Sequence, residues 1–160
     1  MGRAVIVRDR HPVVIAYDGS DPARAAIAHA GAVMRPRHAV VVSVWAPIEV
    51  AAPAAAIGAP AGIALAGARS LDAEERARAE ATATEGADMA RRAGFDAEPL
   101  VLRRDGPPWR AIVDCAAGLD AAVIVTGTRG RSRPVAAVLG STAAGVLHHA
   151  HRPVLMVPGN

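Results

Sequence analysis

The sequence predicts an α/β protein: a single domain with an open, doubly wound sheet of five parallel strands. Short apolar segments alternate with longer helical segments along the chain, as in repeated strand–helix units. The apolar segments do not alternate with polar residues, so we expect strands buried on both faces, as in parallel sheets. The 160 residues suffice for one core and are too few for two. Because only 2% of the residues are aromatic, this core must consist of Val, Ile, Leu and Ala.

The first half of the chain supplies two strands, a helix and a long loop. We predict a strand at residues 13–17, where a β-branched apolar run ends in the turn sequence Asp-Gly-Ser-Asp. A helix at 21–35 follows, with proline in its first turn, and then a second strand at 39–45. The segment 46–67 is rich in Ala, Pro and Gly and carries one charge. It predicts a long flexible loop, of the kind that acts as a lid or stays disordered.

The second half continues the alternation and ends on an apolar strand. A capping signal at Ser70 and a stop at Gly94 predict a helix at 70–93. The remaining predicted elements are a strand at 97–102, a helix at 107–117, a strand at 121–126, a helix at 140–149 and a strand at 154–157. We interpret the charged residues of the 70–93 helix as a solvated face: Glu74, Glu75, Arg76, Arg78 and Glu80.

A spaced glycine set follows the fourth predicted strand and leads into the last helix. Gly127 and Gly130 are followed, after nine further residues, by Gly140, Ser141 and Thr142. A helix N-terminus offers unpaired N–H groups, and glycines let the backbone approach an anion closely, so the pattern indicates a phosphate cradle. It is not a P-loop, because the chain contains no lysine. It is not a dinucleotide fingerprint, which follows the first strand. The alternative is a set of ordinary turn and cap glycines.

Three segments together resemble the universal stress protein family. They are the glycine pattern Gly-x2-Gly-x9-Gly-Ser, the sequence VVIAYDGSDPARAAIAHA near the start and HRPVLMVP at the end. The resemblance covers residues 12–158 and implies the strand order 3-2-1-4-5. Because this glycine spacing is that of the family's nucleotide-binding members, it also implies an ATP site, with Mg²⁺ or Mn²⁺ carried on the phosphates.

The resemblance assigns roles to particular residues. It implies that Asp18 accepts hydrogen bonds from the ribose hydroxyls; the alternative is a turn or helix-capping aspartate, a role that Asp21 could equally supply. The backbone of Val44 would recognise adenine, while its side chain is also a candidate for the core. The implied phosphate and ribose contacts are Gly127, Gly130, Gly140, Ser141 and Thr142. The loop arginines Arg129, Arg131 and Arg133 either screen phosphate charge or face solvent.

Other classes of ligand are disfavoured. The net charge of +3 comes from 18 basic and 15 acidic residues that are interspersed, so nucleic-acid binding is not expected. Cys115 is the only cysteine, which excludes an intramolecular disulfide. His148 and His149 are adjacent on a helix and point apart, which argues against a metal site there. No segment approaches the roughly 18 apolar residues of a membrane span, and we expect a cytoplasmic protein.

The leading functional hypothesis is a nucleotide-responsive regulator of the universal stress type. The family resemblance implies a homodimer that pairs through the last strand, residues 154–157. One alternative is an enzyme that slowly hydrolyses ATP or transfers phosphate, although the sequence offers no clear group to orient a nucleophile. Another is a dimeric scaffold that works without nucleotide. We therefore assign no catalytic residue.

Overall fold

The computed structural model describes residues 11–35, 37–47, 61–130 and 139–159. Its strands form one parallel sheet in the order β3-β2-β1-β4-β5. This result confirms the predicted fold class and strand order. In chain order the strands are β1 (Val13–Ala16), β2 (His38–Trp45), β3 (Asp96–Arg103), β4 (Val123–Gly127) and β5 (Val154–Val157).

Four helices connect the strands within the described residues: α1 (Asp21–Val33), α2 (Ala61–Arg92), α3 (Pro108–Gly118) and α4 (Ser141–His149). The predicted start of α2 near Ser70 was wrong, because the helix begins at Ala61. The segment 61–69 is rich in alanine and has no proline, so it can continue a helix despite its two glycines. Residues 61–67 of the predicted loop therefore belong to α2, and residues 48–60 lie outside the described residues.

The core lies on both faces of the sheet because successive strand residues point to opposite sides. Val13 and Ile15 pack with α1 and α2, whereas Val14 packs with α3 and α4. All three side chains are completely buried. The continuous apolar runs of the sequence therefore correspond to strands that are covered by helices on both faces.

The site is positioned by the reversal of strand order at β1. The chain moves from β1 to β2 on one side and returns to place β4 on the other. Ile15 of β1 is in register with Val125 of β4, so the turn after β1 and the loop after β4 leave the sheet at the same edge. Parallel α/β sheets bind ligands at this kind of switch point.

Candidate functional site

A cavity of about 730 Å³ opens at the carboxyl ends of the strands. The turn after β1, the end of β2, the loop after β4 and the N-termini of α3 and α4 contribute to its walls, and α2 lies across one side. The cavity brings together the described candidate residues from the sequence: Asp18, Val44, Gly127, Arg129, Gly130, Gly140, Ser141 and Thr142. Arg131 and Arg133 lie outside the described residues.

Asp18 lies in the tight turn between β1 and α1. Its Oδ1 atom accepts a hydrogen bond from the Ser20 N–H at 3.0 Å, which fixes the side chain against its own turn. Gly19 has φ = +80°, a conformation that side-chain-bearing residues rarely adopt. The cap of α1 is Ser20, whose Oγ accepts from the Ala23 N–H at 3.4 Å. Asp18 is therefore a turn residue facing the cavity, and it is not the helix cap.

Tyr17 anchors this turn to the sheet and to α2. Its carbonyl oxygen accepts a hydrogen bond of 2.6 Å from the buried Ser43 hydroxyl. Its phenol donates to Glu85 Oε1 at 2.9 Å. Burial, with further contributions from the hydrogen bond to Glu85 and that residue's charge, raises the pKa of Tyr17 to about 12. The phenol therefore remains a hydrogen-bond donor at neutral pH.

Gly127 lets the first turn of α1 approach the end of β4. A Cβ atom at this position would lie 2.7 Å from the carbonyl carbon of Pro22 and 2.9 Å from its Cβ, so any side chain would force the two elements apart. The close approach brings the turn that carries Asp18 beside the loop after β4.

Gly130 and Gly140 shape the loop itself. A Cβ atom at Gly130 would lie 2.8 Å from Asp18 Oδ2, which shows that this backbone runs directly against the carboxylate. The Gly140 N–H donates to the Thr128 carbonyl oxygen at 2.7 Å and ties the two ends of the loop together. A Cβ atom at Gly140 would make an ordinary contact of 3.4 Å with that oxygen.

The N-terminus of α4 and Arg129 supply hydrogen-bond donors to the same place. Gly140 is the N-cap residue of α4 and has no side chain to cap the first turn, where helix geometry leaves N–H groups without intrahelical partners. The Nε atom of Arg129 is buried and has no hydrogen-bond partner within the part of the chain that the structure describes. Leaving a buried donor unpaired is costly, so the arrangement suits an anion.

Sequence reasoning missed several residues that line the cavity: Ser43, Trp45, Glu75, Arg78, Thr82 and Arg104. Glu75 and Arg78, interpreted as part of a solvated face, are 44% and 71% exposed and form a 2.6 Å ion pair. Both also line the cavity, which was not predicted. The spacing of Glu75, Ala79 and Thr82 is that of one helical face, which was a usable signal. A second signal was the serine within the apolar strand HAVVVSVW.

The histidines near the C-terminus lie at the far end of α4 from Ser141. The imidazole ring of His149 stacks on Trp109, with ring centroids 4.2 Å apart and planes inclined by 12°. Within the described ranges, no three His, Cys, Asp or Glu side chains form a group that could hold a metal ion. The helices that the structure describes include none that is long and apolar enough to cross a membrane.

The fold and cavity define a doubly wound α/β protein with a glycine loop and a helix N-terminus at the switch point of its sheet. The chain belongs to the universal stress protein family, whose model matches residues 10–158. It is 35% identical over 147 residues to a Thermus aquaticus protein described as "universal stress protein in QAH/OAS sulfhydrylase 3'region". That match covers 91% of this chain and 96% of the relative.

Two solved structures of similar proteins contain adenine nucleotides. A universal stress protein in complex with cAMP is 26% identical, has a TM-score of 0.64 and matches over 94% of this chain and 98% of its own. The universal stress protein from Archaeoglobus fulgidus in complex with dAMP is also 26% identical, with a TM-score of 0.59. That match covers 92% of this chain and 97% of the other.

Proposed function

We propose that this chain binds ATP in the cavity at the sheet's switch point and acts as a nucleotide-responsive regulatory module in the stress response. The observation that carries the proposal is the buried Arg129 Nε, which has no hydrogen-bond partner among the described residues and lies beside the glycine loop and the N-terminus of α4. The cAMP and dAMP complexes of similar proteins support an adenine nucleotide as the ligand. We further propose that the protein acts in the cytoplasm.

The residues of the cavity form three neighbouring groups, which would hold the phosphates, the ribose and the adenine of a nucleotide. The first-turn N–H groups of α4, the hydroxyls of Ser141 and Thr142 and the guanidinium of Arg129 would hold phosphate groups. The Asp18 carboxylate, in the middle of the edge, would accept hydrogen bonds from the ribose hydroxyls. The adenine would lie at the end of β2, beside the backbone of Val44.

Binding, without rapid turnover, is the activity that we propose for this site. A divalent ion carried by the nucleotide would neutralise part of the phosphate charge, as Mg²⁺ commonly does with few protein ligands. The carboxylates on the cavity wall in the described residues are Asp18 and Glu75. The former is assigned to the ribose and the latter is paired with Arg78 at 2.6 Å, so neither is assigned to activating a water molecule.

We also propose a homodimer that forms through β5. This strand is an edge of the described sheet, and Val154, Leu155 and Met156 are only partly buried. An exposed edge of this kind presents unpaired backbone groups. Pairing with the same strand of a second copy would satisfy them and cover the apolar side chains.

The substitution Gly140→Ala tests the nucleotide site. Because a Cβ atom at this position makes only an ordinary contact and the backbone has φ = −72° and ψ = 153°, we expect the variant to fold normally. The added methyl group would stand at the entrance to the α4 N–H groups. We expect the affinity for Mg-ATP, measured by calorimetry, to fall at least about tenfold, which corresponds to about 1.4 kcal/mol.

Gly118→Ala is the matched control. Gly118 ends α3, does not line the cavity, and a Cβ atom there would meet no atom within 4 Å. This variant should bind Mg-ATP as the unmodified chain does. Unchanged affinity in folded Gly140→Ala would refute the assignment of the phosphate cradle.

A further inference from the structure

Glu85 joins three elements of the fold through one carboxylate. It lies on α2, and its Oε1 atom accepts a hydrogen bond of 2.9 Å from the hydroxyl of Tyr17, the residue after β1. The same oxygen lies 2.6 Å from Nη1 of Arg24 on α1. The side chains of Glu85 and Arg24 are 44% and 43% exposed, so the pair lies at the margin of the core and not within it.

Arg24 carries this connection to the backbone that follows Asp18. Its Nη2 atom donates a hydrogen bond of 3.3 Å to the carbonyl oxygen of Gly19. Glu85 holds the other terminal nitrogen of the same guanidinium. Because the guanidinium is planar and rigid, fixing one nitrogen orients the other. The carboxylate therefore controls the position of the peptide group between Gly19 and Ser20.

Tyr17 carries a second connection to the backbone that precedes Asp18. Its ring packs so closely on α2 that a Cβ atom at Gly86 would lie 2.6 Å from Tyr17 Cδ1. Its hydroxyl ends on Glu85, while its carbonyl oxygen is held by Ser43. Glu85 thus contacts the side chains of the residues that flank the turn, Tyr17 before Asp18 and Arg24 after it, while Ser43 holds the Tyr17 backbone separately.

We propose that Glu85 is a positioning residue for Asp18. It holds Tyr17 and Arg24, which fix the turn before and after Asp18, and so aims the carboxylate at the ribose hydroxyls of a bound nucleotide. This inference rests on the nucleotide site proposed above. Glu85 acts through its two partners, because it does not itself line the cavity.

The substitution Glu85→Gln, measured with two nucleotides, tests the inference. Glutamine keeps the size of the side chain but removes the charge that holds Arg24. ATP has the ribose hydroxyls that Asp18 would bind, whereas 2′,3′-dideoxy-ATP lacks them. We expect the calorimetric affinity for ATP to fall about fivefold, as is common when one member of a hydrogen-bonded network is removed. The affinity for dideoxy-ATP should stay within about twofold.

Glu80→Gln provides the control on the same helix. Glu80 pairs with Arg76 at 2.9 Å and does not line the cavity, so the same loss of charge there should leave both affinities unchanged. Arg24→Gln is the second variant, and it carries the test if Glu85→Gln does not fold. It should show the same selective loss for ATP.

The outcomes separate this inference from the proposed function. If the unmodified chain does not bind ATP, the proposed function fails and the positioning role fails with it. If that chain binds ATP but the folded variant loses affinity equally for both nucleotides, or for neither, only the positioning role is overturned. An equal loss would mean that Glu85 merely stabilises the structure. A loss confined to ATP supports the positioning role.

Discussion

At the scale of single residues, glycine serves three different purposes around the cavity. Gly127 allows α1 to pack against the end of β4, Gly130 lets the loop touch Asp18, and Gly140 closes the loop and begins α4. The sequence shows the spacing of these glycines but not their separate contacts. Gly127→Ala would disturb the packing of α1, whereas Gly140→Ala would affect access to the helix N-terminus.

The surroundings of Tyr17 predict how the stability of the fold depends on pH. The pKa of its phenol is about 12 in the folded chain, against an ordinary value of 10.0. The folded state therefore holds this proton more tightly than the unfolded state. The resulting stabilisation is present below about pH 10 and disappears as the pH rises towards about 12. We expect the free energy of unfolding to decrease over this interval, and Tyr17→Phe to lack that part of the decrease.

The composition of the chain makes this titration easy to observe. Tyr17 is the only tyrosine of the chain, and its 18 basic residues are all arginine. No lysine therefore titrates in the same pH interval. The ultraviolet absorbance of tyrosinate in the folded protein should rise with a midpoint near pH 12. A midpoint near pH 10 would show that the phenol is neither buried nor bound to Glu85.

At the scale of elements, α2 is the helix about which the sequence was least informative. Its first turns were predicted as loop, and the part of its charged face that lines the cavity was not predicted. The other elements were predicted closely, because short apolar runs bounded by turn residues define buried strands well. The packing of α2 on β2 and β3 depends on contacts between residues that are distant in sequence. The pattern of charged residues along the helix does not show which of them lie beside the cavity once the helix has packed on the sheet.

Gly86 is a point of close contact between α2 and the residues of the sheet. A Cβ atom there would lie 2.6 Å from the ring of Tyr17 and 2.8 Å from a methyl carbon of Val41, and both side chains are buried. Because a packed core yields only by straining its side chains, we expect Gly86→Ala to destabilise the fold by about 1–3 kcal/mol. Denaturant unfolding measures this change.

Gly67→Ala provides a control for which the free energy of unfolding should change in the opposite direction. Gly67 is an exposed residue of α2, and a Cβ atom there meets no atom within 4 Å. Alanine should therefore stabilise this helix by up to about 1 kcal/mol, because glycine is the poorer helix former. Equal effects at the two positions would contradict the close packing at Gly86.

At the scale of the whole molecule, the site arises from strand order. Asp18 and the glycine loop are more than 100 residues apart in the chain, and the pairing of β1 with β4 brings them together. Local patterns predicted that both follow a strand, but their adjacency was inferred from the family resemblance. The strand order confirms it. The contributions of Ser43, Arg104 and α2 to the cavity were not predicted, since they depend on the assembled sheet and its helices.

The two edges of the sheet give a prediction about assembly. Leu155 and Val157 pack against the core, so a charge at either position would also damage the fold, and Met156 is the better site for a test. We expect Met156→Asp to convert a dimer to a monomer in sedimentation. Leu100→Asp, on the opposite edge strand β3, should leave the dimer intact. A Met156→Asp variant that remains dimeric would refute the proposed interface.

We propose that the cavity holds the phosphates, the ribose and the base of ATP together. The most direct measurement is a calorimetric titration of the nucleotide-free protein with adenosine, AMP, ADP and ATP in the presence of Mg²⁺, with released phosphate followed in the same samples. We expect saturable binding that tightens as phosphates are added, because each phosphate gains contact with Arg129 or the α4 N-terminus, and negligible release of phosphate. Equal affinity for adenosine and ATP, or no binding of ATP, would contradict it.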